Sequence, residues 1–201
     1  MIAVLTGAGL SAAAGFNAYI PFLVVALLAR YTEVVQLPQA YAWMENGWVL
    51  TVGLVLLAVE VVLDKVPAVD WLNDAVQSFV RPAVGGVIFA ATSAASEVDH
   101  STWMQEHAWV GVVLGGVVAA LVHSGKAVVR PAVNAATLGS GAPVVSTLED
   151  SASIGLSLLA VFVPVLVVVA LGLLLVVPAR FWWQMRRKRR PSSASRVSSG
   201  R

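Results

Sequence analysis

Residues 2–29, IAVLTGAGLSAAAGFNAYIPFLVVALLA, contain no charged side chain, and this stretch decides the class of the protein. A hydrocarbon layer about 30 Å thick is crossed by about 20 apolar helical residues, so Ile2 to Ala29 is expected to be a first membrane span. A cleaved signal peptide is not expected, because no basic residues precede the stretch and no polar break follows a short apolar core. Within it, Asn17, Tyr19 and Pro21 place an amide, a phenol and a helix breaker in mid-membrane. Pro21 lacks the N–H that would bond near Asn17, and a polar side chain beside freed carbonyls is how a broken helix builds a site. A kink satisfied by neighbouring helices accounts for the same residues.

Working outward, the same character continues. The 201 residues are 58% hydrophobic and 12% charged, with no cysteine. Soluble domains average roughly 45–50% apolar and about 25% charged residues, which excludes an ordinary water-soluble enzyme. Without cysteine there are no disulfides, thiolate metal sites or thiol nucleophiles. Further apolar runs extend from Trp48 to Leu63, Ala108 to Gly125 and Ile154 to Val177. Gly7, Ser11 and Gly15, and again Gly111 and Gly115, recur every four residues, a spacing that lets helix backbones approach, within this chain or in a homo-oligomer.

Two weaker segments set the topology. Val80-Arg81-Pro82-Ala83-Val84 and Val129-Arg130-Pro131-Ala132-Val133 are the same pentapeptide, each followed by a charge-free stretch, which suggests duplicated hairpins. Proline suits the first turn of a helix, so short small-residue spans are expected over 82–96 and 131–148. Six spans with both termini cytoplasmic put 12 of the 13 cations inside, leaving only Arg30 outside; five spans, the alternative, put 9 inside. The asymmetry of basic residues favours six. Trp43, Trp48, Trp71, Trp103, Trp109, Trp182 and Trp183 fall at expected interfaces. Between the second and third spans, Val69, Leu72, Val76, Phe79 and Val80 oppose Asp70, Asn73, Asp74 and Gln77, predicting an amphipathic helix lying on the interface over 69–80, with Asp70 and Asp74 solvated. The expected protein is all-α: a membrane domain over 1–179, a basic juxtamembrane segment over 180–190 that anchors against anionic lipid, and a disordered Ser-rich tail over 191–201.

Ionisable residues inside spans are expensive and therefore informative. Glu60 and Asp64, with Lys65 beside them, end the second span, and two carboxylates four residues apart on one helix face repel unless a cation or proton intervenes. His123, Lys126 and Arg130 share one face at the corresponding end of the fourth span, a stripe able to pair with those carboxylates or to bind an anion or lipid phosphate. If Glu60 is structural, its expected partner is Lys126 or Arg130. Ser146 and Glu149 have the spacing of a helix cap, the preferred reading for Glu149 and Asp150. Three scattered histidines lack metal-ligand spacing, so no metal or other cofactor is expected. There is no phosphate loop, no G-x-S-x-G and no H-E-x-x-H. The basic run Arg186 to Arg190 is a topology anchor rather than a nucleic-acid site.

The run Gly15 to Pro21, Glu60 with Asp64-Lys65-Val66-Pro67 and Asp70, Arg81-Pro82, and His123, Lys126, Arg130, Asn134 and Glu149-Asp150, taken in order, resemble the pattern of a family of small bacterial polytopic membrane proteins known only as a domain of unknown function. The resemblance spans about residues 5–178 and implies a membrane protein without supplying a substrate. The residues themselves point first to an inner-membrane transporter or permease. Its substrate or proton path would be lined by Asn17, Tyr19, Glu60, Asp64, Lys65, Arg81, His123, Lys126, Arg130 and Asn134, with Glu60 or His123 carrying a coupled proton. A non-transporting membrane scaffold, its charges paired between hairpins, is the second reading. A membrane-embedded enzyme acting on lipid headgroups is the third. A transporter requires a polar cavity reaching Glu60, whereas a scaffold requires Glu60 fully paired and dry.

Overall fold

The computed structural model describes residues 2–65, 69–95, 107–138, 140–173, 176 and 180. Among them there is no strand. The elements in order are α1 (Ile2–Phe16), α2 (Tyr19–Tyr31), a 3-10 helix (Gln39–Glu45), α3 (Gly47–Leu63), α4 (Asp70–Ala94), α5 (Ala108–Thr137) and α6 (Ala142–Phe162). A last helical run covers 165–173. Three described helices are long and apolar enough to cross a membrane: α5, α6 and Leu72–Ala94 of α4. The 3-10 helix and α3, bent by 58°, make a fourth if they count as one span. Among the described residues the protein is all-helical, with three helices, or up to four, long and apolar enough to cross a membrane, as expected of a membrane protein; six spans are not shown.

The outer surface is apolar and the interior carries the charge. Trp48, Phe79 and Val128 are among the most exposed side chains, whereas Arg81, Glu60 and Asp64 are at most 3% exposed. On α5 the buried residues Gly111, Gly115, Ala119, His123, Lys126 and Arg130 form one stripe at spacings of three and four, small in its first half and basic in its second. On α4 the matching stripe is Asn73, Gln77, Arg81, Gly85, Phe89 and Thr92. The small halves of the two stripes cross closely: a Cβ on Gly115 would collide with the Gly85 carbonyl oxygen, so only glycine permits this approach. The expected small-residue packing is thus realised within the chain.

Helix α1 fills the centre, enclosed by α4, α5 and α6, with every residue from Gly9 to Gly15 buried. Gly7 abuts Phe89, the Ser11 hydroxyl donates to the Gly85 carbonyl at 2.9 Å, and the Gly15 carbonyl accepts from Arg81, so α1 runs antiparallel to α4. Helix α2 returns: Tyr19 shares a wall with Glu60 and Gln77, Leu23 meets Gly53, and Arg30 hydrogen-bonds the Glu45 carbonyl. Its buried Val25 and Ala26 share a core with Leu10, Ile88, Ala91 and Ala160, at the end of the bundle remote from Arg81. The stretch expected as one span is therefore two helices of 15 and 13 residues that turn back at Asn17-Ala18, with the turn at the depth of Arg81. The Asn17 side-chain oxygen accepts from the N–H groups of Tyr19 and Ile20 at 3.0 and 3.3 Å, supplying two of the donors that a new helix leaves open. The run over 165–173 starts with Val167 against Gly9 and continues with Ala170 and Leu171 against Ala12, Ala13 and Leu156, heading back toward the level of the turn.

Three further expectations are corrected. Neither pentapeptide starts a helix: Pro82 lies inside α4, and Pro131 inside α5. The segment 131–148 is not a span of its own, because α5 runs through it to Thr137 and α6 begins at Ala142. Residues 69–80 do not form a separate interfacial helix. From Asp70 they are the first half of α4, with Asn73 and Gln77 buried against the protein and Leu72, Val76 and Phe79 turned outward. In a bilayer the apolar face of an amphipathic helix meets the lipid, and the polar face seeks the interior. The segments 180–190 and 191–201 lie outside the described residues apart from Arg180, as do Trp103, Trp182 and Trp183 and the side chain of Trp71.

Candidate functional site

The buried charges converge where the turn of the α1–α2 hairpin meets the end of α3 and the polar halves of α4 and α5. Glu60 takes a hydrogen bond of 2.8 Å from Arg81 Nη2, both side chains being at most 1% exposed. The other guanidinium nitrogen, Nη1, donates to the Gly15 carbonyl at 3.3 Å and to His123 Nδ1 at 3.1 Å. Arginine has no acceptor, so Nδ1 must offer its lone pair. The ring proton therefore sits on Nε2, which faces the Ser78 hydroxyl oxygen at 3.1 Å, and Ser78 in turn donates to the Asp74 carbonyl at 2.8 Å. His123 is consequently neutral and held by both ring nitrogens.

A second group adjoins the first. Asp64 accepts from Asn73 at 2.6 Å and from Arg130 at 2.9 Å, with Lys126 Nζ 3.7 Å away. Arg130 also reaches both oxygens of Glu149, at 3.3 and 2.5 Å, and lies 3.8 Å from Asp74. Lys126 pairs with Glu149 at 3.0 Å and donates to the Phe16 carbonyl at 3.2 Å. A third link runs from Asn17, which donates to Asp150 at 2.9 Å, to Lys65, 3.9 Å from the other Asp150 oxygen. The turn in the first hairpin explains this convergence. Helix α1 ends with carbonyls that no later residue of that helix can use, and Gly15 and Phe16 offer theirs to Arg81 and Lys126.

Of the expected residues, Glu60, Arg81 and His123 meet in one group, Asp64, Lys126 and Arg130 in the adjoining one, and Asn17 and Lys65 share Asp150 as a partner. Tyr19 lies beside it on a cavity wall. Asn134 is within α5, but its side chain lies outside the described residues. The expected partner of Glu60 is corrected: Arg81 holds it, rather than Lys126 or Arg130, which serve Asp64 and Glu149. Three other readings are also corrected. Glu149 does not cap a helix; it is 8% exposed in the middle of α6 and bridges two cations. Asp74 faces Arg130 rather than open solvent. Asn73 and Gln77, absent from the expected set, belong to the buried stripe, and the spacing of four from Asn73 to Gln77 and from Gln77 to Arg81 was the available signal.

Beside Glu60 lies a cavity of about 340 Å³, at the small end of the range for ligand pockets. Its polar wall is Tyr19, Glu60, Asn73 and Gln77; the remainder is Leu56, Val59, Leu63, Val69, Leu72 and Val76. Glu60 Oε2 and Gln77 Oε1 are both buried without a hydrogen-bond partner. Leaving such an atom unsatisfied costs about 1–3 kcal/mol, and more for a charged group. Among the described residues no cluster of His, Asp and Glu has the arrangement of a metal site.

Fold and site together define a helical membrane protein with an internal charge network and an adjoining cavity. The chain belongs to the family described as a domain of unknown function, DUF4126, which it matches over residues 4–184. No curated protein and no solved structure matches it.

Proposed function

We propose that the protein is a transporter or permease of the bacterial inner membrane, with a path that passes Glu60. The observation carrying this reading is a cavity that reaches Glu60, a buried carboxylate one of whose oxygens has no partner. A carboxylate that exchanges a proton or substrate must keep a free position, and Glu60 uses only one oxygen for Arg81. The hairpin turn supports it, since a helix break that presents backbone carbonyls and a helix N-terminus to buried charges is how secondary transporters assemble sites. Glu60, rather than the doubly held neutral His123, is the group suited to carry a proton. In this reading the end of the bundle bearing Lys65 is cytoplasmic, and the start of α1 is on the opposite face. It differs from the expected arrangement with both termini inside.

A second reading, a membrane scaffold, is favoured by the number of ion pairs, most of which are complete. Solute-jump currents from proteoliposomes test the first reading. Jumps of inorganic cations, small anions and amines should produce a current or pH change for at least one class that is absent in Glu60→Gln and Gln77→Met proteoliposomes. No response to any class from folded wild-type protein would contradict transport and leave the scaffold ahead.

A further inference from the structure

We propose that Arg130 is the latch of a gate at the end of the bundle beyond the hairpin turn, and that the first half of α6 is the part that moves. The inference rests on the transport reading for its purpose, but on separate observations of packing for its mechanics. Helix α1, the centre of the bundle, stops at Phe16, whose carbonyl accepts from Lys126 at 3.2 Å. Past that level, among the described residues, no helix fills the middle; the buried side chains of Asp64, Lys126, Arg130 and Glu149 meet there instead. Helices α4 and α5 pack closely on each other, whereas α3 leans chiefly on α2 and α6 chiefly on α1, and neither of those supports reaches the Arg130 end. There α6 is tied to the α4–α5 pair through Glu149, which accepts from Arg130 at 2.5 and 3.3 Å and pairs with Lys126 at 3.0 Å. Arg130 also holds Asp64, directly after α3, at 2.9 Å and approaches Asp74 of α4 at 3.8 Å. One guanidinium thus joins carboxylates from three other elements.

The two ends of the bundle are closed by different chemistry. Around Gly85, Gly111 and Gly115 the helix backbones touch, and parting them would leave a void between close-packed surfaces. At the Arg130 end the closing groups are long charged side chains, whose contacts water can replace one by one as the helices separate. A seal of apolar side chains would hold at least as firmly, because withdrawing charges from water offsets most of what their pairing gains. Ion pairs therefore suit a contact that has to break. Opening it also leads somewhere: Glu60 lies one helical turn before Asp64, so water passing Arg130 reaches the Glu60–Arg81 pair without crossing the apolar wall of the cavity.

Ser146 supplies the reporter. It is 0% exposed, precedes Glu149 by three residues in the first half of α6, and its hydroxyl has no hydrogen-bond partner, so Ser146→Cys removes no interaction. The measurement is the rate at which iodoacetamide alkylates that single thiol in native membranes open on both faces, with Ile88→Cys in the core as control. Adding Arg130→Gln should speed alkylation at 146 by at least about tenfold and leave 88 inert, since a local opening exposes only its own segment. Electrostatics alone would act the other way, because loss of a nearby cation makes the reactive thiolate scarcer. Glu149→Gln frees α6 while Arg130 keeps Asp64 and Asp74; it should act in the same direction, and it decides the matter if Arg130→Gln also labels at 88 and is thus unfolded. No acceleration in Glu149→Gln, or equal acceleration at 146 and 88, would overturn the latch. Acceleration confined to 146 with no solute-jump response would retain the latch and remove the transport reading. Solute-jump currents without acceleration at 146 would retain transport and remove the latch.

Discussion

At the scale of single residues, the Glu60–Arg81 pair governs both stability and chemistry. Two charges withdrawn from water hold together only while both are present, and removing one partner of a buried pair costs about 3–5 kcal/mol. Glu60→Gln should therefore lower unfolding free energy in detergent by that order, and Glu60→Gln combined with Arg81→Met should recover much of it. A double variant no more stable than Glu60→Gln would show that the pair is not the dominant interaction. Because Arg81 depends on Glu60 whether or not anything is transported, stability alone does not separate a transporter from a scaffold. The solute-jump currents do. The basic face of His123, Lys126 and Arg130 and the acidic end of α3 were legible in the sequence, since spacings of three and four fix which side chains share a helix face. The partner of Glu60 was not, because the register of α3 against α4 depends on tertiary packing that no local spacing encodes.

At the scale of elements, α4 carries the main lesson. Its alternation of Leu72, Val76 and Phe79 with Asn73 and Gln77 is legible as amphipathic but its placement is not, because the same pattern suits a helix lying on a membrane and one crossing it with a polar interior. Glu149 was misread for a related reason: Ser146 three residues before it has the spacing of a cap, while α6 had already begun at Ala142. The break at Asn17 was legible from the residues around Pro21. The reversal was not, since it rests on Val25 and Ala26 finding Ile88 and Ala160. The α4–α5 crossing gives a test with an internal control. Gly115→Val must displace the Gly85 carbonyl and should cost about 1–3 kcal/mol by overpacking. Gly125→Ala meets nothing within 4 Å and should leave thermal stability in detergent unchanged.

At the scale of the whole molecule, the account describes a bundle with a lipid-facing apolar shell, a small-residue core around α1, and a charge network at one end served by a returning hairpin. The helix directions predict sidedness: a tag before Ile2 and one at Val98 should report the outer face, and one after Ser140 the cytoplasm. A tag before Ile2 on the same face as the tail would refute the returning hairpin as a membrane element. Truncation before Pro191 should leave folded yield unchanged, because 191–201 has no apolar run to bury. The central claim is that the space beside Glu60 is reached from outside the protein rather than sealed. The chain has no cysteine, so a single introduced thiol is a unique label. The most direct measurement is the rate at which a small cationic thiosulfonate modifies the Gln77→Cys thiol in native membranes, compared with Ile88→Cys in the core, where Ile88 is 0% exposed. The account predicts ready modification at position 77 and none at 88; equal inertness at both positions would contradict it.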